Sequence, residues 1–490
     1  MTKKVQHSQV LIIGAGFAGL GMAIRLRQAG FRDIAILERG QQVGGTWRDN
    51  QYPGAACDIP SNLYSYSFAP NPNWSRSYSG SHEILAYIHS MVQDFELAPH
   101  IRFNQNVTGL AFDQKQMVWR ATTEQGGLFS ARAVVMASGP LSNCSLPNIP
   151  GIDSYQGHKI HSARWDHSYE FKGKKVAVVG TGASAVQIIP ELVKEADHLT
   201  VFQRTPGWVL PRLDLETPEW NKTLFRSLPA AQFMTRQALY GAHEAMALAL
   251  IWQSPLTSVA ERVAKIHLHN QVKDRWLRRQ LTPDFRIGCK RVLMTNDYYP
   301  ALQQSNCKLI TWPIVRMSEA GIRTVEGIEH QFDCVVFATG FDVGNAGTPF
   351  PVKGLDGREL GAQWRTGARA YKSISVAGYP NLFFTFGPNS GPGHNSALVY
   401  MESQLDYALQ GIRKILSEDG LALDVNASAQ SAYNRKIQSR LAKTNWNSGC
   451  KSWYLTDDGF NATMFPGFAT QYRAQMRDFK ATDYHRVVAP

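Results

Sequence analysis

No stretch of the sequence is long and apolar enough to cross a bilayer. The richest, Ala238–Trp252, is interrupted by His243 and Glu244. Basic residues outnumber acidic ones and give a net charge of +12, yet they form no block, and no nucleic-acid motif accompanies them. The excess reads as a surface suited to phosphate-bearing small molecules, not to a polynucleotide. Cysteine is sparse. Its six copies, at Cys57, Cys144, Cys289, Cys307, Cys334 and Cys450, show neither metal-ligand nor dithiol spacing. No metal site is expected, and the cysteines read as free thiols of a reducing, cytoplasmic compartment. The basic N-terminal MTKKVQHSQV runs directly into a buried-strand pattern without a leader-like segment or cleavage site. The composition is otherwise ordinary for a globular protein, 44% hydrophobic and 18% charged over 490 residues. That length exceeds one hydrophobic core, so two or three domains are expected.

The strongest signals are two glycine-rich turns, each placed between a strand pattern and a helix pattern. The first follows Val10–Ile13 and reads Gly14-Ala15-Gly16-Phe17-Ala18-Gly19. Gly14 suits the tight turn, Gly16 the approach of a pyrophosphate, and Gly19 the close packing of helix on strand. The helix is expected over Phe17–Ala29, and the next strand, Ile34–Leu37, ends at Glu38. A dinucleotide fold places its ribose-binding acid there. The second turn follows Val176–Val179 and reads Gly180-Thr181-Gly182-Ala183-Ser184-Ala185. At the position that matches Glu38 it has Arg204, followed by Thr205. An acid would repel a 2′-phosphate, whereas a guanidinium and a hydroxyl bind one. The first site therefore suits FAD and the second NADPH. The expected fold class is α/β, with two Rossmann-like dinucleotide-binding domains.

Between the turns runs Tyr155-x-Gly157-xxx-His161-xxx-Trp165-Asp166. This resembles the fingerprint of type I Baeyer–Villiger monooxygenases, with tyrosine in place of the usual phenylalanine. A second pattern of that family matches Gly44-Gly45-Thr46-Trp47 through Tyr52-Pro53-Gly54 to Asp58, and the likeness extends to Tyr64. A disulfide reductase could share the first turn, but it needs a redox cysteine pair soon after it, and Cys57 stands alone. The resemblance continues in Lys290-Arg291 ahead of Tyr298-Tyr299 and in Ala338-Thr339-Gly340-Phe341-Asp342. It reaches the Gly387–Ser396 loop with Asn389 and His394, and the tail Cys450-Lys451-Ser452-Trp453-Tyr454.

The resemblance implies a flavoprotein that takes hydride from NADPH, activates O2 as a C4a-peroxyflavin and inserts one oxygen beside a ketone carbonyl, giving an ester or lactone. It implies Arg291 as the active-site cation, Asp58 as its partner, and Lys290 as a ligand of the NADP phosphate. Gly45, Thr46, Trp47, Tyr64 and Asn389 would lie against the flavin, and Val107 would make a backbone contact on the adenine side of FAD. His161 and Trp165 would couple the two nucleotide sites, and His394 reads as a capping or packing residue at least as readily as a base. An N- or S-oxygenating flavin monooxygenase is the alternative, and a flavoprotein that does not oxygenate is a lesser one.

From about Leu210 to Ile287 the strand pattern gives way to helical spacing over Trp220–Leu228, Ala230–Trp252, Leu256–Val272 and Asp274–Leu281. In the resembling family such an insertion walls the substrate cavity. A membrane-surface role for these basic, partly apolar helices is the lesser alternative. The expected parsing is a discontinuous FAD domain (1–145 and 344–490), a discontinuous NADP domain (146–209 and 288–343) and the insertion (210–287). The expected partners are a small-molecule ketone and O2, with no nucleic acid and no membrane span, in a monomer or small homo-oligomer.

Overall fold

The computed structural model describes residues 4–341, 348–450, 452–456 and 458–489. Asp342, Lys451 and the expected domain boundary at 343–344 lie outside them. Among the described residues no helix is long and apolar enough to cross a membrane.

Val10–Ile13 carry only aliphatic side chains, as a strand buried on both faces requires. They end the strand Gln6–Ile13, which runs parallel to Ile34–Leu37 on one side and to Leu128–Met136 on the other. The sheet built around it has eight strands. Its spatial order is Val352–Lys353, Val107–Asp113, Val118–Thr123, Leu128–Met136, Gln6–Ile13, Ile34–Leu37 and Ile101–Arg102, with Leu382–Phe384 also paired to Leu128–Met136. A second sheet has five strands, all parallel: Cys307–Ile310, His198–Phe202, Lys175–Val179, Cys334–Phe337 and His158–His161.

The same turn is built twice. Gly14 N donates to Leu37 O and Gly180 N to Phe202 O, at equivalent places in the two sheets. Both glycines have positive φ, +108° and +121°, and a Cβ on either would stand 2.5 Å from a carbonyl, that of Ala137 or of Ala338. No other residue fits there, for conformation and for space alike.

The strands Val209–Leu210 and Leu293–Met294 pair in parallel and close the base of the helical insertion. Between them stand helices Glu219–Ser227, Pro229–Leu250, Pro255–Gln271 and Arg275–Leu281, close to the spans expected from spacing. Asp274 caps the last by accepting from Leu277 N at 2.6 Å.

The strand Ile101–Arg102 ends short of Asn104, which turns the chain with φ +56°. One expectation needs correction. The six cysteines are not all free thiols: Cys289 and Cys450 form a disulfide across 161 residues of sequence. No local spacing could reveal that pair, since only the folded chain brings its Cα atoms to 6.3 Å. Cys57, Cys144, Cys307 and Cys334 remain thiols, the first and last of them buried. The bond joins the segment entering Lys290-Arg291 to the tail that carries Trp453 and Tyr454. It also removes the support that six free thiols gave to a reducing compartment.

Candidate active site

Both glycine turns open on one cleft of about 1580 Å³. That exceeds the roughly 300–1,000 Å³ of an ordinary small-molecule pocket. One wall is formed by Gly14, Gly16, Phe17, Glu38, Gly45, Thr46, Trp47, Asp58, Tyr64 and Val107. The opposite wall is formed by Gly180, Thr181, Gly182, Ser184, Arg204, Thr205, Lys290 and Arg291.

Five expected site residues do not line this cleft: Gly19, Ala185, Asn389, Trp165 and His161. Gly19 packs instead, where a Cβ would stand 1.8 Å from Gly14 O. Ala185 is fully buried at the start of its helix. Asn389 turns away from the cleft, with φ +58° and its Nδ2 donating to the carbonyls of Asn461 and Met464. It holds the Gly387–Ser396 loop from behind, while its neighbours Pro388 and Ser390 face the opening. Trp165 packs on Phe171 over the second sheet, with ring centroids 5.6 Å apart.

His161 is buried outside the cleft as well, at the crossing between the two sheets. There Ser145 N donates to Gly340 O, and Thr339 Oγ1 to Ser145 O at 2.6 Å. The His161 ring stands edge-on to Phe341, and its Nδ1 accepts from Ala163 N at 3.1 Å. Burial lowers its pKa, with the backbone of Gly340 opposing the shift. A neutral ring is thus packed against both crossing segments. Tyr155 lies in the core of the second sheet and donates its hydroxyl to Phe332 O. A Cβ on Gly157 would collide with that same hydroxyl, which accounts for the Tyr155-x-Gly157 spacing.

The cleft's electrostatics centre on Arg291. Its Nε and Nη2 both donate to Asp58 Oδ2, at 3.0 and 2.5 Å. Among the described residues no acceptor pairs with Nη1, and about a third of each side chain remains exposed. Asp58 raises the guanidinium's pKa further, against the effect of burial. Tyr454 adjoins the pair. Burial pushes its hydroxyl up to about 12, with Arg291 opposing, so it stays protonated near neutral pH. A fixed, always-charged donor thus faces the opening, held by one carboxylate oxygen.

Arg204 and Lys290 form a second positive locus. Burial lowers the lysine's pKa, and repulsion from Arg204 lowers it further. Among the described residues no acid forms an ion pair with either. Asp284 opposes part of the Lys290 shift without forming an ion pair, and two cations so close suit a phosphate. Glu38 behaves differently from its expected role. Its Oε1 is paired with Arg48 Nη1 at 2.6 Å, and its Oε2 accepts from Ala15 N at 2.9 Å. It braces the first turn as well as facing the cleft.

Two polar residues escaped the sequence reading. Gln187, on the helix after the second turn, reaches the first wall: its Nε2 donates to Ala56 O and its Oε1 accepts from Tyr52 Oη. The signal available was a lone amide in an otherwise apolar helix face. Glu244, on the helix Pro229–Leu250, accepts from His394 Nε2, Asn395 Nδ2, Ala469 N, Thr470 N and Thr470 Oγ1. It ties the insertion to the Gly387–Ser396 loop and to the tail, and it makes His394 a packing residue. Burial alone would raise the Glu244 carboxyl. The bonds from His394, Thr470 and Asn395 outweigh burial and hold it down to about 2. That stabilisation is present above the unfolded-state value of 4.5 and is lost as the pH falls toward 2. Glu244→Gln should therefore cost about 2–3 kcal/mol near neutral pH, the difference shrinking below about pH 4.5. Urea unfolding of both proteins at about pH 7 and about pH 4 checks it. A gap that does not change with pH would mean that the carboxylate charge is not the source.

The family described as pyridine nucleotide-disulphide oxidoreductase matches residues 11–224, which span both glycine turns. Two curated relatives are both named Baeyer-Villiger monooxygenase. The Streptomyces coelicolor protein is 42% identical over 98% of this chain and 92% of its own. The Pseudomonas aeruginosa protein is 43% identical over 99% and 92%. The chain belongs to the Baeyer–Villiger monooxygenases. The solved structure of OTEMO in complex with FAD and NADP matches this Baeyer–Villiger monooxygenase with a TM-score of 0.89 at 25% identity, over 99% of this chain and all of the other.

Proposed function

We propose that the first wall of the cleft holds FAD, the second holds NADPH, and Arg291 is the single cation at which a ketone is converted to an ester or lactone. The chain is an NADPH- and O2-dependent flavoprotein monooxygenase of the Baeyer–Villiger type. The observation that carries the residue roles is the Asp58–Arg291 pair, formed between segments 233 residues apart on opposite walls.

Both nucleotides fit the residues present. Gly16 and Gly45 stand back to back, with Gly45 Cα 3.6 Å from where a Gly16 Cβ would lie, and nothing lies within 4 Å of a Cβ on Gly182. Backbone N–H groups can thus approach a pyrophosphate on each side. Arg204, Lys290 and Thr205 would take the 2′-phosphate. FAD held by the first wall would, when bound, supply the oxygen-activating chemistry, with NADPH on the second wall as its source of hydride. Arg291 supports the negative charge that develops at the substrate carbonyl, and Asp58 orients it. Tyr454 and the Gly387–Ser396 loop limit the access of water. The parsing into 1–145 with 344–490, 146–209 with 288–343, and 210–287 follows the two sheets and the insertion.

Product masses from ketones and sulfides incubated with enzyme, NADPH and O2 test the activity. Esters or lactones one oxygen heavier than the ketone are expected. Sulfoxides alone would favour the N- or S-oxygenating reading, and NADPH oxidation without oxygenated product would reject both.

His161 is the coupling element in this reading, packed where the chain crosses between the nucleotide sites. His161→Ala should bind FAD yet oxygenate slowly, with a larger share of NADPH spent without product. Stopped-flow reduction and reoxidation at wild-type rates, with full product yield, would assign it to stability only.

A further inference from the structure

Asp58 holds Arg291 through one carboxylate oxygen, yet the stretch 51–60 that carries it forms neither helix nor strand. The chain turns there through Gly54, at φ +77°, and meets backbone on one side only. On that side Cys57 N donates to Ser79 O and Ser81 N to Ala55 O. The carbonyls of Ala56 and Cys57, the two residues directly before Asp58, receive no backbone donor among the described residues. Left without partners, both peptides could rotate and carry the carboxylate with them.

Two side chains from outside the loop bond to those carbonyls. Gln187 lies in the first turn of the helix Ala185–Glu195, and its Nε2 donates to Ala56 O at 3.0 Å. Its Oε1 accepts from Tyr52 Oη at 2.9 Å, so one amide grips both ends of the loop. The backbone of the same residue closes on the loop's turn, where a Cβ on Gly54 would stand 2.7 Å from Gln187 O. Arg212 lies two residues past the strand Val209–Leu210. Its Nη2 donates to Cys57 O at 3.3 Å and to Tyr78 O at 3.4 Å. Arg212 is itself fixed, with its guanidinium 4.9 Å from the centre of the Tyr78 ring. Its N donates to Asn296 Oδ1 at 3.0 Å, and its O accepts from Asn296 Nδ2 at 2.7 Å. Asn296 follows the strand Leu293–Met294 by two residues, and Arg291 precedes that strand by two. Both members of the Asp58–Arg291 pair are thus referred to one strand.

We infer that Gln187 and Arg212 are positioning residues for Asp58, which fix its carboxylate against Arg291 by holding the carbonyls of Ala56 and Cys57. The inference rests on the role of the Asp58–Arg291 pair proposed above. Neither side chain has to touch the substrate. A displacement of about 1 Å at a reacting group can cost on the order of 10²-fold in rate, so the loss of one such hold is measurable.

A double-mutant cycle on the FAD-loaded enzyme tests this, at saturating NADPH and with a ketone that the product screen shows to be converted. Gln187→Met keeps the length of the side chain and suits the helix. It should lower kcat for ester formation about tenfold, with flavin absorbance and KM for NADPH unchanged. Arg212→Met should act in the same way. Arg212→Lys should restore part of the rate, because an ammonium can still donate to Cys57 O. In an Asp58→Ala background Gln187→Met should change kcat by less than about twofold, since the group it positions is gone. A residue that serves only the fit of the two walls would cost the same factor in both backgrounds. The inference is overturned by equal losses in the two backgrounds or by wild-type kcat in Gln187→Met. It is overturned as well by a raised KM for NADPH in Gln187→Met, which would make the amide a coenzyme contact. Wild-type activity in Asp58→Ala alone would overturn the role of the Asp58–Arg291 pair, and the inference with it.

Discussion

Arg291→Ala is expected to retain FAD and NADPH and to lose ester formation by on the order of 10²–10³-fold. Two donors of the guanidinium are committed to one oxygen of Asp58, and Nη1 is left for the cleft. The group is therefore oriented and charged before substrate arrives, which is the condition under which an electrostatic stabiliser costs no reorganisation during reaction. Lysine at this position should rescue only in part, because a point charge cannot hold Asp58 through a planar fork and present another donor at once. Asp58→Ala should fail less completely, since it releases the cation without removing it. Product yield must be measured beside flavin absorbance. Ester formed at the wild-type rate by Arg291→Ala would refute the role of this residue. Loss of flavin would assign the Asp58–Arg291 pair to the joining of the two walls.

The two dinucleotide cradles were legible because they rest on local rules: a buried strand, glycines where a side chain would strike a carbonyl, and a helix. The insertion helices were legible for the same reason, as apolar spacing alone places them within a few residues of their observed ends. Asp58 and Arg291 were different. Nothing in spacing joins positions 233 residues apart, and only resemblance to a family brought them together before the structure did. Where neither local rule nor resemblance reached, the reading failed. Cys289 and Cys450 bond through the tertiary fold alone. Glu244 entered the sequence reading only as an interruption of an apolar run, yet it accepts five hydrogen bonds from two other segments. Asn389 sits in the right loop, but its left-handed backbone turns the side chain away from the cleft. A loop's sequence reports its composition and not which way each side chain points.

Arg204→Ala should weaken the preference for NADPH over NADH by about 1.5–3 kcal/mol, roughly 10–150-fold in kcat/KM. The residue lies two positions past the strand end at Phe202, one beyond Gln203, which the Gly180–Phe202 bond makes the structural match of Glu38, and it faces the cleft beside Lys290. The two cations already repel, which adds to the effect of burial in lowering the Lys290 pKa. A 2′-phosphate between them would relieve that repulsion and gain two charge-assisted contacts, whereas NADH offers neither site an anion. The loss should therefore appear in KM for NADPH, with KM for NADH unchanged. A pH dependence follows with a definite sign. Lys290 sheds its proton at lower pH than an ordinary lysine, so KM for NADPH should rise early on the alkaline side. Removing Arg204 removes part of the depression, and the rise should move to higher pH even though KM is larger throughout. A purely structural role for Arg204 would raise KM for both coenzymes alike and leave the alkaline limb in place. Equal kcat/KM for NADPH and NADH in the wild type would show that the two cations do not select the coenzyme.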